Sequence, residues 1–223
     1  MTSRRPSRGR ALPKTALALS AALLGLLGTG LAHAEGDAPA PDAAHTKAIR
    51  RSDFTIGAGG GLGFGRASGY PNKVQQIGDP AYKSSTKLAL GSGQLIWLGV
   101  AFNDYLTFGL GFGGFKLSGN DRDASASVFG FHVDAFPLFD VDKNLQDLGV
   151  FTNFGTGPLK IKGGPDEADG GLMSYLEAGV VYERLRLWRI GMGPSVSLIH
   201  VWSESASATT ALVGARLAFY GGP

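Results

Sequence analysis

The chain has 223 residues, 43% of them hydrophobic and only 17% charged, with 35 glycines and no cysteine. That length admits one domain with a real core or a closed barrel, the composition excludes extended disorder away from the ends, and the missing cysteine excludes disulfides, thiolate metal sites and a lipidated cysteine. The formal charge of +3 resides in the first 34 residues, where Arg4, Arg5, Arg8, Arg10 and Lys14 meet no acid; the remaining sixteen basic and eighteen acidic residues give a slightly acidic body, without the basic footprint of a nucleic-acid partner.

Residues 1–34 read as a signal peptide. A basic stretch to Lys14 precedes an apolar stretch from Thr15 to Ala32, and Ala32-His33-Ala34 fits the small-x-small cleavage pattern, which predicts export and cleavage after Ala34. Gly25, Gly28 and Gly30 interrupt an apolar run already short of the ~20 residues a membrane-spanning helix needs. Residues 35–52, rich in Ala, Pro and Asp, read as a disordered lead-in, 53–220 as one domain, and 221–223 as a tail.

The domain opens on "FTIGAGGGLGFG". Phe54, Ile56, Ala58, Leu62 and Phe64 share one parity, while Gly57, Gly59, Gly61, Gly63 and Gly65 share the other. Alternation is the β period, so one face is greasy and the other bare. Seven further β-like segments follow, near 87–102, 105–117, 126–137, 148–157, 172–183, 186–202 and 208–220. The third repeats the opening pattern, with Leu106, Phe108, Leu110 and Phe112 against Thr107, Gly109, Gly111 and Gly113. The second does not conform: Leu95 and Trp97 take the bare parity and Ser92 and Gln94 the greasy one, so a bulge at Gly91 or Gly93 is one expectation and an extension above a membrane the other.

Connections alternate between short and long. Asn103-Asp104 and a turn around Arg184-Leu185 are short, whereas the polar stretches after segments one, three, five and seven are longer. The exception, "LFDVDKNLQDLG", is expected to hold a single helical turn. This pattern resembles the small eight-stranded outer-membrane β-barrels of Gram-negative bacteria, a group that includes the membrane domain of outer-membrane protein A. The resemblance covers Asp53 to Tyr220 and implies an all-β, eight-stranded antiparallel up-and-down transmembrane barrel with short periplasmic turns and longer external loops. It also implies a monomer in contact with outer-membrane lipid and lipopolysaccharide, inserted by machinery that reads a terminal aromatic. Phe219 and Tyr220 occupy that place, although Gly221-Gly222-Pro223 follow.

Eight strands leave an interior just wide enough for side chains to fill. The inward glycines of segments one and three are expected to make room for Tyr175, Glu177, Glu183 and Arg189. The inward parity further collects His132, Asp134 and Arg216, and Glu177, Arg189 and Arg216 are expected to meet in one cluster. Such a cluster is either an ion network that neutralises the lumen or a polar path for small solutes. Aromatic girdles are expected from Trp188, Tyr182, Phe136, Phe219 and Tyr220 at one set of strand ends, and from Trp202, Phe64 and Phe115 at the other.

Enzymatic motifs fail in detail. A His-x-Ser pair on the lipid side would mark a lipid A deacylase, but His200 is followed by Val201 and Trp202, with Ser203 one place too far. His132, Asp134 and scattered serines lack a nucleophile motif. The glycines of 59–65 match a dinucleotide fingerprint without a following helix, and "GGPDEADGG" departs from calcium-loop spacing. No catalytic residue, cofactor or metal is expected. The reading is an outer-membrane barrel with a structural, adhesive or interaction role, or a narrow pore; the alternatives are a soluble lipocalin-like carrier of an apolar ligand, and a lipid-modifying enzyme. A carrier should turn its large apolar residues inward, whereas the inward parity here carries Gly, Glu and Arg.

Overall fold

The structure, a computed structural model, describes residues 49–71, 73–119, 121–163 and 167–222, all within the compact unit Lys47–Pro223. The expected signal peptide and most of the lead-in lie outside the described residues, as does part of the acidic loop.

Ten strands form one sheet: β1 (Asp53–Gly69), β2 (Ser84–Ser85), β3 (Ala89–Asn103), β4 (Leu106–Gly119), β5 (Arg122–Ala135), β6 (Leu148–Lys162), β7 (Ala168–Tyr182), β8 (Leu185–Leu187), β9 (Ile190–Trp202) and β10 (Ala206–Tyr220). Eight are staves of a closed antiparallel barrel in chain order, with β10 returning to β1. The short β2 pairs with β1 and β8 with β9. Closure leaves no unpaired wall edge, which an eight-stranded sheet otherwise has to shield.

The register fixes the tilt. Following paired residues from Lys160 through Ser125, Lys116, Ser92, Leu62, Val213, Val196 and Val180 leads back to β6 at Val150, ten residues below the start. A stagger of that size tilts the strands by roughly 40–45° to the barrel axis.

Segment positions agree with the sequence reading, but several details differ. No bulge occurs at Gly91 or Gly93: β1 and β3 pair without interruption from Asp53 to Gly65, so Trp97 does point inward and Ser92 and Gln94 outward. The turn expected at Arg184-Leu185 lies instead between Leu187 and Ile190. Pro194 has no N–H to donate, so the β7–β9 ladder stops at Val181–Ser195 and resumes at Leu185–Met192 with one extra residue, a bulge. The connection after Ala135 contains turns and no helix; Pro137 removes a donor from it and its hydrogen bonds are mostly of the three-residue turn kind.

Most external connections are shorter than expected, because the strands run further. Between β4 and β5 only positions 120–121 remain, and between β9 and β10 only 203–205. Polar residues that look like loop in the sequence, such as Ser125 and Ser127, are outward positions whose inward neighbours are the buried Ala124 and Ala126.

The interior has two parts. Toward the end holding Gly69 and Ala206, a cluster including Phe115, Leu117, Leu159, Ile161, Met173 and Val201 fills the barrel. Toward the end holding the chain termini, a smaller cluster of Trp97, Ala101, Ala218 and Tyr220 packs among buried polar side chains, Thr107, His132, Asp134, Asn153, Glu177 and Arg216. The expectation of an inward face made of Gly, Glu and Arg therefore describes only the second part. Phe136, Tyr220 and Phe115, expected in the girdles, are buried as well, because their parity is inward; Trp188, Phe64 and Trp202 are exposed.

Candidate functional site

The polar half is organised around Arg216 on β10. Its Nη2 donates to Asp134 Oδ1 at 2.8 Å, and the guanidinium lies between the rings of Trp97 and Phe151, 4.3 and 4.1 Å from their centroids. Asp134 also accepts from Thr107 Oγ1 at 2.9 Å, and His132 Nε2 stands 2.9 Å from the same carboxylate. Residues two apart on one strand share a face, which is why β5 supplies both His132 and Asp134. The His132 ring stacks on Trp97 with centroids 4.5 Å apart, and its Nδ1 meets Asn153 Oδ1. Asn153 Nδ2 donates onward to Glu177 at 2.8 Å, and Tyr175 donates to that same carboxylate. One polar chain thus crosses the lumen from β10 to β7.

Glycine makes the crossing possible. A Cβ at Gly57 would stand 2.1 Å from the Trp97 ring, and one at Gly59 2.9 Å from Arg216 Cγ. The groups accommodated by β1 are therefore Trp97 and Arg216, in place of the expected Tyr175, Glu177, Glu183 and Arg189.

A second polar group closes the end that holds the termini. Arg51, fully buried, donates from Nη2 to Asp147 Oδ1 at 3.0 Å and to Glu183 Oε2 at 3.4 Å, while its guanidinium lies 3.4 Å from the centroid of Phe136. Its backbone N–H donates to Asp104 Oδ1 at 2.8 Å, and Tyr220 donates its hydroxyl proton to Glu183 Oε2 at 3.0 Å. Arg50 pairs with Asp147 at 3.1 Å. The unusually long connection from Phe136 to Asp147 is the floor of the barrel. Arg50, Arg51 and Ser52, assigned from sequence to the lead-in, are part of the folded unit, held by Asp104, Asp147 and the end of the chain.

His132, Asp134, Glu177 and Arg216 belong to the crossing network, and Glu183 to the floor. Arg189 joins neither: it lies in the β8–β9 turn, where its Nη1 donates to the Gly221 carbonyl at 2.9 Å. Arg51, Asn153 and Asp147 escaped the sequence reading. Nothing in the parity of a strand announces a residue that folds under a barrel from outside it, but the acids Asp104, in a short turn, and Asp147, in the unusually long connection, were its available signal.

Burial pushes the Glu183 carboxyl above the usual carboxylate range, with Arg51 pulling the other way. A carboxyl raised on folding contributes stability fully below its unfolded pKa of about 4.3, and loses it as pH rises through the folded value. Glu183→Gln removes that titration. The variant is therefore expected to gain on the native chain as pH rises from about 4 to about 8, read from urea midpoints in micelles; a difference that stays constant or falls would contradict a raised pKa.

Between network and apolar cluster lies a cavity of about 40 Å³ bordered by Trp97, Glu177, Ser197 and Arg216. Pockets for small molecules measure about 300–1,000 Å³, so this cavity is too small for a carried apolar ligand. Near the opposite rim His200 Nδ1 meets Thr209 Oγ1 at 2.8 Å on the outward face, a histidine–hydroxyl pair formed with threonine, not the serine the enzyme reading required.

No family model and no curated protein matches the chain. Among solved structures it is similar in fold to Neisserial surface protein A, with 12% identity, 74% of this chain and 96% of that one covered, and a TM-score of 0.46. It is also similar to Ail, the attachment invasion locus protein of Yersinia pestis, at 10% identity, 75% and 99% coverage and TM-score 0.44. The outer membrane protein OprG from Pseudomonas aeruginosa gives 12%, 77% and 98%, and 0.39. At these values the role of the barrel has to be argued from its own geometry.

Proposed function

We propose that the protein is an integral outer-membrane barrel with a filled lumen, which serves as a rigid mount for an interaction surface at its outer rim and not as a conduit. The observation that carries this reading is the outward belt. Leu62 is 74% exposed, Val213 64%, Phe112 63% and Phe129 54%, and a closed barrel can bury such a band only in lipid. On β1 the outward apolar run from Phe54 to Phe64 covers ten residue steps; at the tilt above it rises roughly 24 Å, close to the ~25 Å apolar band of outer-membrane barrels. No helix among the described residues is long and apolar enough to cross a membrane, so strands would do the crossing.

The filled lumen supports a closed state. Apolar side chains pack the outer part, and Arg51, with its carboxylate partners Asp147 and Glu183 and the Phe136 ring, fills the inner one. Above the belt the outward residues turn polar. Lys116 and Lys160 flank Ser125 in one paired row, with Lys162 one step higher; Asp169 stands opposite Lys160 and Asp123 opposite Lys162, a mixed row in which Lys116 is the cation with no acid paired to it and is suited to a phosphate of lipopolysaccharide.

The test is to fold the mature chain from Glu35 with lipopolysaccharide vesicles and, separately, phosphatidylcholine vesicles. The expected result is a β spectrum and heat-modifiable gel migration only with amphiphile, no unitary conductance in planar bilayers, and a loss of the lipopolysaccharide preference in Lys116→Glu/Lys160→Glu. A protein folded and monodisperse in plain buffer would overturn the membrane reading. Steady channel events would overturn the closed lumen.

A further inference from the structure

The outward face of β9, β10 and β1 carries a furrow. The register sets Pro194 opposite Ala215 and Ala215 opposite Gly60, so one row across three strands projects almost no side chain. The row above is Val196, Val213 and Leu62, all exposed, and the row below is Met192, Leu217 and Ala58. A groove of about 490 Å³ is lined by the row of small residues and the row below, with Leu185 bordering it as well. Arg216 borders it only from behind, since its guanidinium is turned into the lumen onto Asp134.

The same proline that flattens the row opens its mouth. Because Pro194 cannot donate, the wall between β7 and β9 bulges at Tyr182 to Arg184. Arg184 is left exposed there, next to Leu185, with its Nη1 donating to Tyr182 Oη at 3.1 Å. The apolar furrow thus reaches from Leu185, the chain neighbour of the exposed Arg184, to Gly60, near the middle of the apolar belt. Lipid packed over such a furrow loses dispersion contacts unless something fills it, and the position of the charge says what.

We propose that the furrow holds one phospholipid of the inner leaflet, with an acyl chain along Pro194, Ala215 and Gly60 and its phosphate on Arg184. The proposal rests on the membrane reading above. Length, direction and charge agree: a lipid of that leaflet has its phosphate at the edge and its chain ending near the midplane, as the furrow does. A second copy of the chain pressed against Gly60 would leave Arg184 without a counterpart.

To test it, the mature chain is folded into vesicles of equal parts phosphatidylethanolamine and phosphatidylglycerol, extracted in mild detergent and weighed by native mass spectrometry. The native protein is expected to retain one phospholipid. Ala215→Leu, which fills the furrow from outside and leaves the core untouched, is expected to retain roughly tenfold less, and Arg184→Gln several-fold less. Heat-modifiable migration of each variant establishes that it is folded. A folded, heat-modifiable native protein that retains no lipid overturns the proposal, as does Ala215→Leu retaining as much as the native chain. A dimer that disappears in Ala215→Leu also overturns it, giving the furrow to a second copy. A native chain folded in plain buffer overturns the membrane reading itself, which the other outcomes leave standing.

Discussion

Gly57→Val is expected to abolish the heat-modifiable form of the protein, and Trp97→Ala in the same chain to restore most of it. The introduced valine side chain would have to occupy space filled by the Trp97 ring. The ring has no retreat, because His132 stacks on one region of it and the Arg216 guanidinium lies 4.3 Å from its centroid. Overpacking a core costs about 1–3 kcal/mol when neighbours can shift, and more when they cannot. Trp97→Ala alone should cost about 3–5 kcal/mol as a large-to-small core change, so the double variant should be more stable than the sum of the two singles. Urea midpoints in micelles measure all four proteins. A Gly57→Val chain with native stability would mean that Trp97 does not lie across β1.

The second large effect concerns the buried pair. Asp134→Asn leaves Arg216 between two aromatic rings without its carboxylate, which should cost about 3–5 kcal/mol. Arg216→Met removes the cation and leaves Asp134 with Thr107 and His132 for company, again at a cost of about 3–5 kcal/mol. Combined, the substitutions remove both charges, so the double variant should be far less destabilised than the two singles add up to. Changes that add within about 0.5 kcal/mol would show that the two groups are energetically independent. Salt should leave the coupling nearly unchanged, since buried pairs are poorly screened.

Most of the wall was legible in the amino-acid sequence, and for one reason. A strand with an apolar face outside and small or polar residues inside keeps strict parity, and β1, β4 and β9 display it in plain letters. Loop lengths were misjudged where the outside solvent changes: Ser125 and Ser127 read as loop because polar residues alternating with alanine carry no greasy face, yet they continue β5. The inward site was legible as a set of residue types and not as a set of contacts. His132, Asp134 and Arg216 share inward parity, but which of them meet depends on the stagger between distant strands, and that is a property of closure. Arg189 was misplaced because it lies in the β8–β9 turn, just outside β9, where strand parity no longer fixes a side chain's direction. Arg51 belongs to no strand at all.

The end of the chain is tied to its beginning. Gly221 N–H donates to the Phe54 carbonyl at 2.7 Å and Gly222 N–H to the Ser52 carbonyl at 3.1 Å, extending the β1–β10 seam. Every other seam joins strands near in sequence, with a modest loop to close; this one must gather a loop of nearly the whole domain, the largest entropic penalty in the molecule. A sheet that grows in chain order would keep its two outer strands unsatisfied until this seam is made. The residues that hold the termini, Arg51 among them, act late in that history, and a chain cut short at its C-terminus would accumulate as seven-stranded sheets with two adhesive margins.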